Sequence, residues 1–287
     1  MTQILKAAPV VEKNKKRLTE EVQKLKDLGV TPSMKVILVG ENPASILYTR
    51  NKKKFIENLG AKCEIIKLSK NINADTFLGQ VKEIAADKDI HGCFVQLPLP
   101  SQLKHIKVGS LIPPSKDVDG FHFENLAKLF TGDKGEKALL PCTPKGIITL
   151  LKHYDIDVAG KHVVVLGRSL IVGRPMASLL TNYDATVTLC HSKTENICDI
   201  TRTADIIICA VGNPKGVTCQ FVEQNKKQVI VDVGINRDNE GMLCGDAHYE
   251  DLKDNVAAIT PVPGGVGPMT ILSLADNLII AAKRSLN

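Results

Sequence analysis

Tyr48 and Lys52 stand four residues apart in a segment that opens on Asn42-Pro43 and stops at Gly60. Asparagine is a good N-cap, proline suits the first helical position and glycine ends a helix, so residues 43–59 read as one helix. On a helical wheel Ala44, Tyr48, Lys52, Phe55 and Leu59 share a stripe, and Arg50, Lys53 and Lys54 point the other way. An amine on the apolar stripe loses hydration, its charged form is disfavoured, and it becomes a usable acid or base. The plainer reading is a lysine whose stem packs while its head reaches water. Periodicity alone leaves both open.

Further features favour chemistry. Val95-Gln96-Leu97-Pro98 closes an apolar strand with a polar residue, Gln96, at its carboxyl end, where α/β sheets bind ligands. Lys116-Asp117-Val118-Asp119-Gly120 places paired carboxylates before a glycine. Such a cluster can be only a turn, or it can bind the N–H edge of a heterocycle at two points. Thr260 to Thr270, T-P-V-P-G-G-V-G-P-M-T, is too rich in glycine and proline for a regular element. It reads as a backbone-lined loop around a ligand, with Thr270 capping a final helix. No His or Cys/His spacing suggests a metal, and no nucleophile elbow suggests acyl transfer.

The second half carries a different signal. His162 to Pro175 reads H-V-V-V-L-G-R-S-L-I-V-G-R-P. A buried strand runs into Gly167, then Arg168 and Ser169, then Val172-Gly173 and a helix. Glycine lets backbone approach a pyrophosphate, and a helix N-terminus offers free N–H groups. The spacing departs from G-x-G-x-x-G, so an ordinary strand-to-helix turn remains the alternative. The next strand ends in His191-Ser192-Lys193 with no acidic residue to bind ribose hydroxyls. With Arg168 nearby, that suits a 2′-phosphate and favours NADP over NAD. Gly212-Asn213-Pro214 and Gly234-Ile235-Asn236 follow two later strands; either turn could bring backbone to the cofactor or be a plain loop exit.

Strand-like and helix-like segments alternate through the chain that positions these residues. Strands are expected at 35–39, 63–68, 93–97, 162–166, 186–190, 205–211 and 229–233, and helices at 11–28, 43–59, 76–86, 145–153, 175–182 and 271–284. The strands are continuous apolar runs, the pattern of parallel sheets covered on both faces. The fold class is therefore α/β, with two doubly wound lobes, the second a Rossmann-type dinucleotide-binding domain. We expect residues 1–145 to form the first lobe, 146–269 the second, and the helix from 270 to 287 to pack back onto the first.

The 287 residues are 44% hydrophobic and carry a formal charge of +6. The cations are dispersed, apart from Arg50–Lys54, and tryptophan is absent. A nucleic-acid surface calls for a basic stripe with stacking aromatics, so small anionic ligands are the better match. No uninterrupted apolar run approaches the ~18 residues of a membrane span, and no secretory signal opens the chain. The eight cysteines form no C-x-x-C pair and read as buried free thiols, which fits a reducing cytoplasm.

Tyr48-x-x-x-Lys52, Val95-Gln96-Leu97-Pro98, Lys116 to Gly120, Gly167-Arg168-Ser169 with Val172-Gly173, and Pro263-Gly264-Gly265-Val266-Gly267-Pro268-Met269-Thr270 occur in that order. Together they resemble the bifunctional methylenetetrahydrofolate dehydrogenase/methenyltetrahydrofolate cyclohydrolase family. The resemblance spans nearly the whole chain. It implies a homodimer with tetrahydrofolate derivatives held in a cleft between the lobes and NADP on the second lobe. Methylenetetrahydrofolate would be oxidised to the methenyl form and hydrated to 10-formyltetrahydrofolate. By the same resemblance Lys52 is the catalytic lysine, Tyr48 packs along the folate ring, Gln96 bonds near the lysine and Asp119 holds the pterin. Val95, Leu97 and Pro263 to Gly267 complete the substrate set. Gly167, Arg168, Ser169, Ser192 and Ile235 contact NADP, and Val172, Gly173, His191 and Gly212 join them on the turn signals above. Two other readings stay in play: a dehydrogenase without the hydrolytic step, and a dinucleotide-binding regulator without catalysis.

Overall fold

The computed structural model describes residues 2–223 and 225–286. Its elements run β1 (Gln3–Ile4), α1 (Ala7–Asp27), β2 (Ser33–Val39), α2 (Pro43–Asn58), β3 (Lys62–Leu68), α3 (Ala74–Ala86), β4 (Gly92–Gln96), α4 (Phe123–Phe130), α5 (Cys142–His153), β5 (His162–Leu166), α6 (Gly173–Asn182), β6 (Thr186–Cys190), α7 (Ile197–Arg202), β7 (Ile206–Cys209), β8 (Val229–Asp232), β9 (Asn236–Arg237), β10 (Leu243–Cys244), α8 (Tyr249–Leu252), β11 (Ala258–Ile259) and α9 (Val266–Arg284). The chain divides into two compact units. One comprises Met1–Glu12, Leu129–Glu136 and Thr143–Thr270, and the other Lys13–Lys128, Lys137–Cys142 and Ile271–Asn287.

The second of these units is built on a parallel sheet in the order β3-β2-β4. In the central strand Val36 pairs with Ile65 on one side and Phe94 on the other. A central parallel strand has covered faces, so β2 is buried from Val36 onward. Lys116–Asp119 extends this layer. Asp117 forms a parallel bridge with Cys93, and Cys93 N–H donates to Lys116 O at 2.9 Å. Gly92 makes the approach possible, because a Cβ there would lie 2.3 Å from Val118.

The other unit holds a six-stranded sheet in the order β1-β11-β8-β7-β5-β6, with every neighbouring pair parallel. Its inner strands are the runs V-V-V-L, I-I-I-C and V-I-V-D, buried along their length. From β5 the chain crosses to β6 on one side, then returns past β5 to β7 on the other. This reversal opens a crevice at the carboxyl ends of β5 and β7, the place where such sheets take ligands.

The structure departs from the sequence-based expectations in several places. Gln3–Ile4 pairs with Ala258–Ile259 at the edge of the six-stranded sheet, so the N-terminus clusters with the six-stranded unit, where we expected 1–145 to stay together. Helix α9 begins at Val266, five residues before the expected start, so Thr270 is inside it and does not cap it. Pro268 is tolerated because the N–H groups of a first helical turn have no partner in the helix. Helix α9 is long and apolar enough on average to cross a membrane by length and composition, although Ser273, Asp276 and Asn277 interrupt its apolar runs, and 61% of its most apolar window is buried within the protein. Six cysteines are buried, while Cys198 and Cys219 are half-buried.

Candidate functional site

Lys52 is 3% exposed. Asn42 starts α2 by accepting the Ser45 N–H at 3.0 Å, and Pro43 follows it. The buried stripe is Ser45, Thr49, Lys52 and Ile56. The expected stripe is therefore rotated: Ala44 is exposed, and Tyr48 and Phe55 are half-buried. An apolar pattern overlooks Ser45 and Thr49, yet both can be buried. The Thr49 hydroxyl donates to Ser45 O at 2.9 Å, which satisfies its polar group inside the helix. Arg50 and Lys54 face solvent as expected. Lys53 does not: it is half-buried and donates to Cys63 O at 2.6 Å.

The Lys52 amine donates to Gln96 Oε1 at 3.2 Å. It lies over the Tyr48 ring at 4.6 Å and the Phe94 ring at 4.1 Å. Aromatic faces and an amide oxygen stabilise a cation where water is scarce. Gln96 donates through Nε2 to Leu97 O at 2.8 Å, which fixes its amide so that the oxygen faces the lysine. Sequence reasoning placed Gln96 near the lysine without a direction for the bond; here Gln96 accepts from the amine. It also passed over Phe94. The signal was present, because residues 94 and 96 share a strand face. Val95 is buried in β4, facing the other way.

The carboxylates of Lys116–Gly120 divide their work. Asp117, 4% exposed, accepts N–H groups from His122 at 2.7 Å and Gly120 at 3.2 Å, and the Asn125 amide at 3.0 Å. Burial pushes its pKa up, and these donors pull against the rise. Asn277 of α9 holds the neighbouring Val118 O at 2.9 Å. Gly120 has φ +82°, and a Cβ there would sit 2.4 Å from the Leu140 carbonyl carbon. Asp117 is thus the turn-forming carboxylate. Asp119, half-buried, is held through its backbone, whose O accepts the Cys142 N–H at 3.3 Å. Its side chain carries no described hydrogen bond or ion pair.

In the six-stranded unit a cavity of about 450 Å3 opens at the crevice. Of the sequence-predicted cofactor residues, Gly167, Arg168, Ser169, His191 and Ser192 line it. So do Asn213, from the turn noted after β7, and Cys190, Ile197, Ala210, Val211, Gly216, Val217 and Phe221, which motif reading did not single out. Gly167 has φ +112°, and a Cβ there would meet Ala210 O at 2.0 Å; one on Gly173 would meet Gly167 O at 1.9 Å. These glycines let strand end, turn and helix close on each other. The Ser169 hydroxyl accepts the Val172 N–H at 3.1 Å and the Gly173 N–H at 3.4 Å, so it caps α6. Val172 and Gly173 therefore support the turn from behind and do not line the cavity. His191 Nδ1 accepts the Lys193 N–H at 3.1 Å, which leaves the proton of a neutral ring on Nε2. Ile235 is exposed and lies outside the lining. The N–H of Gly212 points to Asp246 instead of into the cavity.

The glycine-rich segment after β11 lies in the same unit. Pro263 and Gly264 are exposed, Gly265 and Val266 are buried, and Gly267 is half-buried in the first turn of α9. Gly264 O accepts the Ala7 N–H at 2.8 Å. In the three-stranded unit a larger cavity, about 540 Å3, lies between β3 and α3. None of the candidate residues lines it, and two of its three charged residues, Lys35 and Asp87, pair with each other at 2.7 Å.

A parallel sheet with a glycine turn at its switch point, together with a buried lysine held by glutamine, defines a dinucleotide-dependent α/β enzyme. The chain belongs to the tetrahydrofolate dehydrogenase/cyclohydrolase family: the family model of its catalytic domain matches residues 5–119, and that of its NAD(P)-binding domain residues 141–286. It is 46% identical over 282 residues to the bifunctional protein FolD of Bacillus cereus (strain AH187), covering 98% of this chain and 97% of that one. It resembles the crystal structure of the bifunctional FolD methylenetetrahydrofolate dehydrogenase/cyclohydrolase of Campylobacter jejuni, with a TM-score of 0.94, 42% identity, and 99% and 100% of the two chains covered. The Trypanosoma brucei methylenetetrahydrofolate dehydrogenase-cyclohydrolase, solved with NADP cofactor and inhibitor, aligns with a TM-score of 0.91 at 34% identity over 100% of this chain and 99% of that one.

Proposed function

We propose that this chain oxidises 5,10-methylenetetrahydrofolate to the 5,10-methenyl form with NADP, then hydrolyses that product to 10-formyltetrahydrofolate. The observation that carries the reading is the Lys52 amine, buried over two aromatic rings and 3.2 Å from Gln96. A regulator without catalysis has no use for such a group.

The cavity residues fit the cofactor. Glycine occupies the positions where a Cβ would collide with backbone, exposed Arg168 and Ser192 stand at the lining, and no acidic residue is among those lining it. Gly167, Arg168, Ser169, His191 and Ser192 would hold it, and NADP, when bound, supplies the hydride acceptor. The methylene carbon lies between two nitrogens whose lone pairs stabilise the cation formed, so this step needs positioning more than a base. Asp119 holds the pterin N–H edge, and Tyr48 packs along the ring. Leu97, half-buried just past the end of β4, extends the substrate surface on that unit.

Hydration takes up one water and releases one proton overall. Water adds to the methenyl carbon and one carbon–nitrogen bond breaks, so a proton must leave the oxygen and another must reach the departing nitrogen. Lys52 is the proton carrier, and Gln96 fixes its amine. The same reading makes the protein a cytoplasmic homodimer acting on tetrahydrofolate derivatives, with no part for nucleic acid or membrane; it is supported by family membership and the dispersed charge. The test is to supply methylenetetrahydrofolate with NADP or with NAD and to follow the methenyl form as it appears and decays. Formation without decay would leave a dehydrogenase alone.

A further inference from the structure

Two turns at the carboxyl ends of the inner strands β7 and β8, Gly212-Asn213-Pro214 and Gly234-Ile235-Asn236, are joined by one carboxylate. Asp246 is fully buried. Its Oδ2 accepts the N–H of Val211 at 2.7 Å and of Gly212 at 3.0 Å, and its Oδ1 accepts the N–H of Asn213 at 3.0 Å and the Asn236 amide at 2.8 Å. Successive backbone N–H groups facing one point form a nest that binds anions. At the carboxyl end of a strand beside a dinucleotide cavity, an open nest would take a phosphate. This one is filled from within.

We infer that Asp246 is a positioning residue for the cofactor: by filling this nest it sets the wall that Val211 and Asn213 present to the dinucleotide. The inference rests on the assignment of that cavity to NADP. Its consequence is that the N–H groups of residues 211–213 are withheld from the pyrophosphate, which is left to the turn after β5.

The device has its own support. Asp232, 3% exposed, accepts the N–H groups of Asp246, Gly234 and Ala247, each at 2.9 Å. A Cβ on Gly234 would lie 2.6 Å from Asp246 Oδ1, and one on Gly245 would lie 1.8 Å from Asp232 Oδ2. Both glycines are therefore places where a carboxylate occupies the space of a side chain. Residues 211–213 lie beyond the end of β7, so the strand ladder does not fix them. The Asp246 carboxylate does.

The test uses the full chain, with NADPH fluorescence titration and steady-state kinetics of both activities. Asp246→Asn keeps the shape but turns an N–H donor toward the nest. It should raise the Kd for NADPH and the KM for NADP by about tenfold or more, while the cyclohydrolase reaction, which consumes no dinucleotide, stays within about twofold. Asn236→Ala keeps the carboxylate and removes one donor; it should raise the same constants by about two- to fivefold. Unchanged NADP affinity in both variants would overturn the inference, as would a parallel loss of both activities with a fallen Tm. Where Asp246→Asn does not fold, Asn236→Ala decides alone by the same split. A wild-type chain that does not bind NADPH at all would refute the cavity assignment itself, an outcome separate from variants that bind as well as wild type.

Discussion

Lys52 stands in the middle of helix α2, with its partner Gln96 the last residue of strand β4 and Phe94 beneath it in the same strand. Gly167, His191 and Val211 instead lie one or two residues beyond the ends of β5, β6 and β7. The lysine site depends on where one nitrogen sits, and regular elements hold it. The cavity is lined by residues at and just beyond strand ends, and turns supply many of them. Each side also uses a buried aspartate to fix a loop. Asp117 does so beside the half-buried Asp119, whereas Asp246 fixes a wall with no carboxylate in it. A folate's N–H edge needs an acceptor, while a 2′-phosphate needs none nearby.

The largest effect expected is at the lysine. Lys52→Met keeps the stem and deletes the amine, so cyclohydrolase activity should fall by about 10³-fold or more. Hydride transfer depends on positioning and should survive at a reduced but measurable level, so methenyltetrahydrofolate accumulates. Decay of its absorbance after mixing with enzyme measures this directly. Arg50→Met, on the exposed face, should leave both rates near wild type. Normal hydrolysis by Lys52→Met would remove the lysine from the mechanism.

Next come the paired aspartates. Asp119→Ala should raise the folate KM in both reactions by on the order of 10²-fold, the loss of a charged two-point contact. Asp117→Asn should instead lower stability by roughly 1–3 kcal/mol, because its amide would face an N–H donor. Thermal melts and kinetics on the two variants separate the roles. An Asp119→Ala enzyme with ordinary folate affinity would make the segment a turn and nothing else.

Asp232 offers a pH-dependent test of the other unit. Burial, with the Asp246 carboxylate adding to it, pushes its pKa from 3.8 up to about 6, against the pull of three backbone N–H donors. The folded state therefore keeps a proton that the unfolded state gives up as pH rises past 3.8. This group's contribution to stability is full below about 4 and is lost as pH climbs through about 6, amounting to roughly 2–3 kcal/mol. Asp232→Asn should be less stable than wild type at pH 4, with the gap narrowing toward pH 7. Denaturant unfolding at both pH values reads the slope, and a gap independent of pH would mean that Asp232 titrates normally.

How far the sequence discloses this molecule follows from where each contact lies along the chain. Strands β5 and β6 match their expected bounds because V-V-V-L is a self-sufficient apolar run and T-V-T-L-C is rich in β-branched residues. The two-residue strands β1, β9, β10 and β11 have no such run; partners elsewhere in the chain define them. Lys52 was legible as a cation among apolar neighbours, although the stripe was misplaced by the buried Ser45 and Thr49. Asp246 was not legible. Gly245-Asp246 looks like any turn pair, and the N–H groups it binds lie up to 35 residues away. The start of α9 was hidden because Gly267 and Pro268 read as breakers, whereas the first turn of a helix admits both.

The smallest effect expected is at Arg168, and it asks whether the cavity reads charge as well as shape. Arg168 is exposed beside Ser192, and no acidic residue lines the cavity. An exposed guanidinium pairing with a 2′-phosphate is partly screened by solvent, so its contribution is modest. Arg168→Ala should raise the KM for NADP by about tenfold, equivalent to roughly 1.4 kcal/mol, and leave NAD use within about twofold. The difference should shrink as salt is added, because screening acts on the wild-type contact and has nothing to act on in the variant. The measurement is the ratio of kcat/KM for the two cofactors at low and high ionic strength, in wild type and variant. Equal losses with NADP and NAD would mean that Arg168 shapes the turn after β5 without reading the phosphate, and cofactor preference would then fall to Ser192 and the missing acid after Cys190.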